Sequence, residues 1–249
     1  MQDLTQDAFL CGKLQLWQPR QGYRAATDPV LLAAACPALP GQSVLDLGCG
    51  VGAAALCLAT RVADLRLAGL ELQADYAALA RRNAIENGIA MQVEQGDLAD
   101  MPKALRRDFD HVIANPPYYP KGGTPSPNAG RATALQIDTP LGDWVQAASR
   151  RLAPGGWLTL ICGADGLPEV LAAMGGKLGS ASVLPLAPRA EKPALRILLR
   201  ARKTGRAAFR LLAPFVIHHG ASHDGDRESY TPRASQILRG GESLSDEFR

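Results

Sequence analysis

The sequence has 249 residues, 47% of them hydrophobic and 20% charged, which is enough for one substantial core and fits a single α/β domain. The net charge of +3 is too small to indicate a polyanion partner, and the five cysteines lack a spacing typical of zinc, so we expect reduced thiols and no metal. No run approaches the roughly 20 apolar residues of a membrane helix and the N-terminus lacks a secretory signal, so we expect a cytoplasmic protein without membrane contact.

Residues 1–40 are interrupted by prolines and glycines, and we predict an irregular N-terminal flap there with one short helix over 30–35. From residue 41, apolar strand-like segments alternate with segments of helical periodicity, which predicts a parallel sheet covered by helices. The predicted strands lie within 43–50, 65–72, 91–97, 109–117, 157–164, 182–186 and 195–202. The predicted helices lie within 53–63, 75–88, 141–156 and 168–178.

A Gly/Pro-rich stretch over 118–132 follows the fourth predicted strand and is too long for a simple connector. Long loops of this kind in compact domains are typically functional or mobile. From residue 211 the sequence becomes harder to assign, and its polar, glycine-rich part predicts loop with one short helix. We therefore predict one domain, 1–249, made of the flap (1–40), a core (41–203) and a C-terminal extension (204–249).

Alternating glycines separate the first strand of the core from its first helix, in the segment DLGCGVG. Gly48, Gly50 and Gly52 allow a tight turn and a close approach of a ligand, because no Cβ occupies that space. Asp46 in the same segment disfavours a phosphate and favours an amine-bearing ligand. Dinucleotide-binding folds and purely structural turns use similar patterns, so the segment alone leaves these alternatives open.

Acidic residues follow the next two strands. Glu71 ends the second strand about 20 positions after the glycine segment, where a carboxylate can accept both hydrogen bonds of a ribose diol, and Leu72 follows it. Asp97 and Leu98 follow the third strand, where a carboxylate can accept from an adenine amino group and a backbone amide can donate to the ring. A solvated carboxylate would explain Glu71 alone, and a helix cap explains Asp97 almost as well. Together with the glycine segment, they predict a nucleoside-type cofactor.

The fourth strand ends in Asn115, Pro116, Pro117 and Tyr118, the most specific motif of the chain. Prolines donate no backbone hydrogen bond and hold φ near about −65°, so the carbonyls before them are free to accept. With the Asn115 side chain, these carbonyls can hold both hydrogens of a planar NH2 group while its nitrogen attacks a methyl donor. Tyr118 offers a face for an extruded base, and Tyr119 either helps or packs. A rigid turn is the structural alternative.

These segments resemble the class I S-adenosylmethionine-dependent methyltransferases, and within them the amino-methyltransferases with an [N/D]PP[Y/F] motif. The resemblance covers about residues 43–162 and implies a Rossmann-like α/β fold. That fold has a seven-stranded, mostly parallel sheet with a reversed last strand and helices on both faces. The resemblance also implies S-adenosyl-L-methionine as cofactor. By this likeness Asp46 and the glycines surround the methionine part, Glu71 holds the ribose, and Asp97 and Leu98 face the adenine.

A narrower resemblance extends over nearly the whole chain, to bacterial enzymes that methylate N6 of the adenosine beside the anticodon of a valine tRNA. The similar segments are 14–35, 192–203, 211–219 and 230–240. In that family the N-terminal segment folds over the cofactor pocket, which makes Tyr23, Arg24, Thr27 and Asp28 candidates for shaping the site. Asp28 can equally cap a helix that begins at Pro29.

Basic residues are concentrated between Arg189 and Arg210, where eight of them stand against the single acid Glu191. Alternate residues of a terminal strand share one face, so Lys192 and Arg196 are candidates for binding RNA phosphates. A solvated basic face is the structural alternative.

Three histidines and two tryptophans receive no role in this chemistry. His218, His219 and His223 have no matching acid or cysteine spacing, so we predict loop or packing roles rather than a metal site. Trp144 and Trp157 are most simply core residues.

We therefore predict S-adenosylmethionine-dependent N6-methylation of an adenine in RNA, with an anticodon-loop adenosine of tRNA as the preferred acceptor. The glutamine amide of translation release factors also offers a planar NH2 group, but those enzymes usually carry a long helical domain before the glycine motif, and only about 40 residues precede it here. Adenine in rRNA or DNA is a further alternative, although a DNA enzyme should have a target-recognition domain and none is visible. Outside enzymes, a noncatalytic RNA-binding module is the alternative, and the intact Asp46, Glu71 and 115–118 set argues against it. No sequence feature specifies an oligomeric state.

Overall fold

A computed structural model describes residues 3–117, 139–220 and 229–249. Tyr118, Tyr119 and His223, which carry three of the predictions, lie outside these residues. Within the described ranges, no helix combines the length and the apolar character that crossing a membrane requires.

The N-terminal flap contains an antiparallel hairpin of β1 (Leu4–Phe9) and β2 (Leu14–Pro19), so the prediction of an irregular flap is wrong here. Its turn holds Leu10, Cys11 and Gly12 at positive φ of 51°, 54° and 86°. Residues other than glycine rarely adopt a positive φ. The turn sequence Leu-Cys-Gly also contains none of the residue pairs that usually mark a hairpin in a sequence.

Seven long strands form the centre of the mixed sheet, and helices cover them. The strands are β3 (Ser43–Leu47), β4 (Arg66–Glu71), β5 (Met91–Gln95), β6 (Phe109–Ala114), β7 (Leu152–Gly163), β8 (Leu178–Ala187) and β9 (Arg196–Lys203). The helices are α1 (Thr27–Ala35), α2 (Ala53–Arg61), α3 (Ala74–Glu86), α4 (Leu141–Arg151) and α5 (Leu167–Ala173).

The strand order is β5-β4-β3-β6-β7-β9-β8, and β9 runs antiparallel to both of its neighbours. The predicted fold class, a mostly parallel sheet whose last long strand is reversed, is therefore confirmed. Two short strands that were not predicted, β10 (Arg210–Leu211) and β11 (Phe215–Val216), pair with β8 and extend the sheet beyond seven strands.

Two predicted helices end earlier than expected. Residues 152–156, assigned to a helix from the sequence, open β7 instead. Helix α5 ends at Ala173, shortly before Gly175 and Gly176, which adopt positive φ of 52° and 73°. Consecutive residues in the left-handed region cannot continue a right-handed helix, so the chain turns there into β8.

Both ends of the chain pack into the hydrophobic cluster that surrounds α1 and α2. Leu14 and Leu16 of β2 contribute to this cluster and are fully buried. The short C-terminal helix that was predicted is α6 (Pro232–Leu238), and Thr231 caps it by accepting a hydrogen bond from the Ala234 amide at 3.2 Å.

The basic residues of β9 do not form an open row, so the expectation of a terminal basic strand is wrong. β9 lies between β7 and β8, and three of its basic side chains donate to backbone carbonyls of neighbouring segments. Arg200 is only 7% exposed, donates to the Ala35 carbonyl and lies 3.8 Å above the Phe248 ring. Arg202 donates to the Gly155 carbonyl at 2.9 Å.

Candidate active site

The cavity lies at the position in the sheet where the strand order reverses. Strand β3 pairs with β4 on one side and with β6 on the other, and the carboxyl ends of such parallel strands leave a crevice between them. A cavity of about 430 Å³ opens there. The predicted site residues that line it are Tyr23, Arg24, Thr27, Asp28, Asp46, Gly48, Gly50, Glu71, Leu72, Asn115, Pro116, Pro117 and Arg196.

Two buried carboxylates form the floor of this cavity. Asp46 is 2% exposed, accepts from the Ala55 amide at 3.2 Å, and has a pKa raised to about 8, chiefly by burial. Glu71 accepts from the amides of Gly50 at 2.9 Å and Gln73 at 2.8 Å, and burial raises its pKa as well. Burying a carboxylate is costly unless a cation or hydrogen-bond donors meet it, so the floor favours a ligand with an ammonium group and hydroxyls.

The glycine turn is closed on one side by Trp144 of α4. Gly48 has a φ of 66°, and a Cβ at this position would lie 2.5 Å from Cη2 of the indole. Trp144 is buried, as expected, but it also lines the cavity, a role that the sequence did not indicate. Gly52 lies outside the cavity lining, and a Cβ there would meet Leu56 and Ala80.

Tyr23 forms the wall opposite Gly50. Its hydroxyl accepts a hydrogen bond from Asn115 Nδ2 at 3.1 Å, and its carbonyl accepts one from the Tyr76 hydroxyl at 3.0 Å. Tyr23 is 39% exposed, and desolvation at the cavity wall, followed by the charge of Asp46, raises its pKa to about 12, so the phenol keeps its proton. The flap is thereby connected to α3 and to the end of β6.

Asp28 and Arg196 form an ion pair at the cavity wall. Helix α1 begins at Thr27, so Asp28 lies in its first turn, and the alternative that Asp28 caps a helix beginning at Pro29 is wrong. Arg24 also lines the cavity, but its guanidinium turns to the hairpin and pairs with Asp7 at 2.5 Å.

Three further predicted residues do not line the cavity, namely Asp97, Leu98 and Lys192. Asp97 is exposed and accepts from the Ala99 amide at 2.8 Å, which closes a local turn rather than capping a helix. Leu98 is half-buried, and Lys192 is exposed in the connection between β8 and β9. The roles assigned to them stay predictions.

His218 of the C-terminal extension has packing partners. His218 Nδ1 lies 2.9 Å from the Ser229 hydroxyl, and its ring stacks on Tyr230 with centroids 4.9 Å apart. No group of three histidine, cysteine or acidic side chains in the described parts of the chain is arranged to hold a metal ion.

A family model described as the methyltransferase small domain matches residues 27–180. The chain belongs to this family. A tRNA1(Val) (adenine(37)-N6)-methyltransferase from Porphyromonas gingivalis is 32% identical over 174 residues, which are 66% of this chain and 68% of that protein. A solved structure from Agrobacterium tumefaciens, described as that of a predicted O-methyltransferase, matches with a TM-score of 0.70 at 28% identity and covers 87% of this chain and 97% of its own. A class I S-adenosylmethionine-dependent methyltransferase structure from Listeria monocytogenes shows the same fold, with a TM-score of 0.53 at 18% identity over 74% of this chain and 61% of its own.

The cofactor of this methyltransferase is S-adenosylmethionine, as predicted, and the cavity fits it. A buried carboxylate such as that of Asp46 is chemically suited to an ammonium group, which S-adenosylmethionine carries. Glu71 uses its oxygens for two backbone amides and keeps further lone pairs for ribose hydroxyls. Gly48 and Gly50 line the cavity, and the absence of a Cβ at these positions makes room for the rings of Trp144 and Tyr23.

Proposed function

We propose that this methyltransferase methylates N6 of an adenine in tRNA, with an adenosine of the anticodon loop as the preferred acceptor. The observation that carries the proposal is the position of Asn115, Pro116 and Pro117, which continue β6 into the same cavity as Asp46 and Glu71. This position would bring an acceptor group next to the cofactor. The name of the Porphyromonas gingivalis relative supports tRNA as the source of that acceptor.

The side chains around the acceptor position suit a planar amine. When bound, S-adenosylmethionine supplies an electrophilic methyl group. Asn115 directs its Nδ2 to the Tyr23 hydroxyl, which leaves Oδ1 to accept one hydrogen of an NH2 group. The carbonyls that precede Pro116 and Pro117 are suited to accept the other, and both contacts would orient the nitrogen lone pair. Orientation and stabilisation of the charge developing on nitrogen are then the main contributions of the protein.

Within the cavity, we propose that Asp46, Gly48 and Gly50 hold the methionine part of the cofactor and that Glu71 and Leu72 hold its ribose. Thr27 and Asp28 would cover the cofactor, and Gly52 would keep the turn close to α3. Asp97 and Leu98, at the same edge of the sheet, would contact the adenine. For RNA, we propose stacking on Tyr118 and Tyr119 and phosphate contacts with Lys192 and Arg196.

Two other acceptors compete with adenine. A glutamine amide offers the same two hydrogens as adenine, so it fits the same contacts. The structure from Agrobacterium tumefaciens is described as an O-methyltransferase, and a hydroxyl acceptor would need a base to remove its single proton. The acceptor end of this cavity presents an amide and prolines, which favours nitrogen.

The test is methyl transfer from labelled S-adenosylmethionine to unmodified tRNA, rRNA, DNA and a release factor in parallel, followed by nucleoside analysis. We expect label as N6-methyladenosine in tRNA and at least about a 100-fold lower rate for Asn115→Ala, because a transition-state contact is removed. Cofactor affinity, measured by calorimetry, should change little in this variant. Label in the release factor, or in a hydroxyl group, would refute the proposed acceptor while retaining the methyltransferase chemistry.

A further inference from the structure

The orientation of the Asn115 amide is set from the N-terminal flap. Its Nδ2 donates to the Tyr23 hydroxyl at 3.1 Å, although the two residues are 92 positions apart in the sequence. An amide presents an acceptor at its oxygen and two donors at its nitrogen, so its two ends suit opposite ligands. Whichever group engages Nδ2 therefore decides which atom faces the acceptor.

We propose that Tyr23 is a positioning residue that turns the Asn115 amide so that Oδ1 faces the acceptor amine. This inference rests on the proposed function, because an amine acceptor needs an oxygen at this position. In the opposite orientation, the N–H groups of the amide and of the acceptor would face each other without a hydrogen bond. Tyr23 would thus contribute to the choice of nitrogen as the methylated atom.

The electrostatic surroundings favour this direction of the hydrogen bond. A phenol can donate or accept, and negative charge at the cavity floor, whenever Asp46 or Glu71 is ionised, favours the orientation in which its hydrogen points toward that floor. The lone pairs of the Tyr23 oxygen are then left for Asn115. Because the pKa of Tyr23 is raised to about 12, this hydrogen is retained at any physiological pH.

Tyr23 is itself held from two sides. The Tyr76 hydroxyl of α3 donates to its carbonyl at 3.0 Å, and a Cβ at Gly50 would lie 3.6 Å from its ring atom Cε1. The preceding residue, Gly22, has a φ of 103°, and a Cβ there would lie 3.0 Å from the Tyr76 hydroxyl. The backbone turn that places the phenol beside Asn115 therefore favours glycine at position 22.

The test is a double-mutant cycle with Tyr23→Phe, which keeps the ring and removes only the hydroxyl, and Asn115→Ala. In the wild-type background we expect kcat to fall about 10-fold with an unchanged cofactor Kd, as for the loss of one hydrogen bond. In the Asn115→Ala background the same change should lower kcat by less than about twofold, because its partner is gone. Tyr230→Phe, the same substitution at a tyrosine outside the cavity, is the matched control and should leave kcat unchanged.

A second measurement does not depend on activity. The side-chain amide signal of Asn115, identified in an NMR spectrum by its loss in Asn115→Ala, should shift in Tyr23→Phe and stay in place in Tyr230→Phe. Equal losses of kcat in both backgrounds, or an unmoved amide signal, would overturn the role of Tyr23. Transfer to an acceptor other than tRNA would instead refute the proposed substrate, and the cycle would then be measured on that acceptor.

Discussion

At the scale of single residues, the burial of the Asp46 carboxyl group has a cost in stability, which we propose is offset by its role in cofactor binding. Its carboxylate is 2% exposed, and the described hydrogen bond that it accepts comes from the Ala55 amide. A fold optimised only for stability would place an apolar or neutral side chain there. The raised pKa of Asp46 makes this cost measurable as a dependence of stability on pH.

For Asp46→Asn we expect a gain in stability together with a loss of cofactor binding. Because the folded state holds the Asp46 proton more tightly than the unfolded chain does, the wild-type free energy of unfolding should fall as pH rises from about 4 to about 8. The neutral amide removes the contribution of Asp46 to this fall, so without cofactor the variant should be more stable at pH 8 by an amount on the order of 5 kcal/mol, and similar to wild type at pH 4. Urea unfolding at both pH values measures this, and an equal difference at both would contradict it.

Cofactor binding should release the proton of the same group. At pH 7 the binding of a cation beside Asp46 should lower its pKa and release a proton, so the apparent Kd should improve as pH rises toward 8. Calorimetry in two buffers with different ionisation heats counts the released protons. The count should drop to near zero in Asp46→Asn if any binding remains, whereas an unchanged count would assign the proton to another group.

For Lys192→Ala we expect weaker RNA binding with intact chemistry. Arg196 reaches the cavity from β9, and exposed Lys192 lies shortly before it in the chain, so a phosphate near the acceptor can contact Lys192. The KM for tRNA should rise about threefold, and the slope of log affinity against log salt should fall by about one. Lys103→Ala, at another exposed lysine, is the control, and an equal effect there would indicate a general charge effect.

At the scale of elements, Asn83 of α3 and Asn87, which directly follows this helix, hold the hairpin strand β2. Asn83 is fully buried, accepts from the Trp17 amide at 2.8 Å, and donates to the carbonyls of Trp17 at 3.1 Å and Val51 at 3.0 Å. Asn87 accepts from the Gln15 amide at 2.9 Å and donates to the Gln15 carbonyl at 2.7 Å. Asn83 therefore links strand β2 of the flap both to α3 and to Val51 in the glycine turn at the cavity. Asn87 links β2 only to the end of α3.

This difference makes Asn83→Ala and Asn87→Ala a matched pair. Each variant leaves three backbone groups without their side-chain partner. Because Asn83 is fully buried and Asn87 only half-buried, Asn83→Ala should lower the free energy of unfolding by about 3 kcal/mol and Asn87→Ala by about 1 kcal/mol. Cofactor affinity should fall only for Asn83→Ala, through its contact with Val51. Denaturant titration and calorimetry test both statements, and equal losses of affinity would contradict the proposed link.

At the scale of the whole molecule, the C-terminal extension completes the core that begins in the flap. The Leu244 amide donates to the Ala34 carbonyl of α1 at 2.8 Å, and Phe248 packs in the same cluster as α1 and α2. Phe248 also lies under the buried guanidinium of Arg200, whose pKa is lowered to about 10, chiefly by burial. These contacts are the reason why we propose a single domain over 1–249.

For Phe248→Ala we expect a loss of about 3 kcal/mol in the free energy of unfolding, since the ring is 8% exposed and covers a buried cation. Phe209→Ala is the control, because that ring is 51% exposed and should contribute less than about 0.5 kcal/mol. Both variants should unfold in one transition. A separate early transition in Phe248→Ala would contradict the single domain.

The sequence alone determined the sheet and the floor of the site. Buried strands, glycine turns and helices are local patterns, and the carboxyl ends of parallel strands meet at one edge whatever lies between them. Asp46, Glu71 and Asn115 could therefore be assigned to one site from their positions at strand ends. The hairpin could not be predicted, because its turn places Leu10 and Cys11 at positive φ, a conformation that these residue types do not indicate.

Only the tertiary structure decided how the walls of the site are built. Asn115 meets Tyr23 across 92 positions, and Arg196 meets Asp28 across 168. Arg200, which belongs to a conspicuous basic run, is covered by Phe248 from the far end of the chain. No local periodicity encodes such pairs, because they form only when distant segments close around a common core, and packing then determines which charge is buried and which side chain faces the cavity.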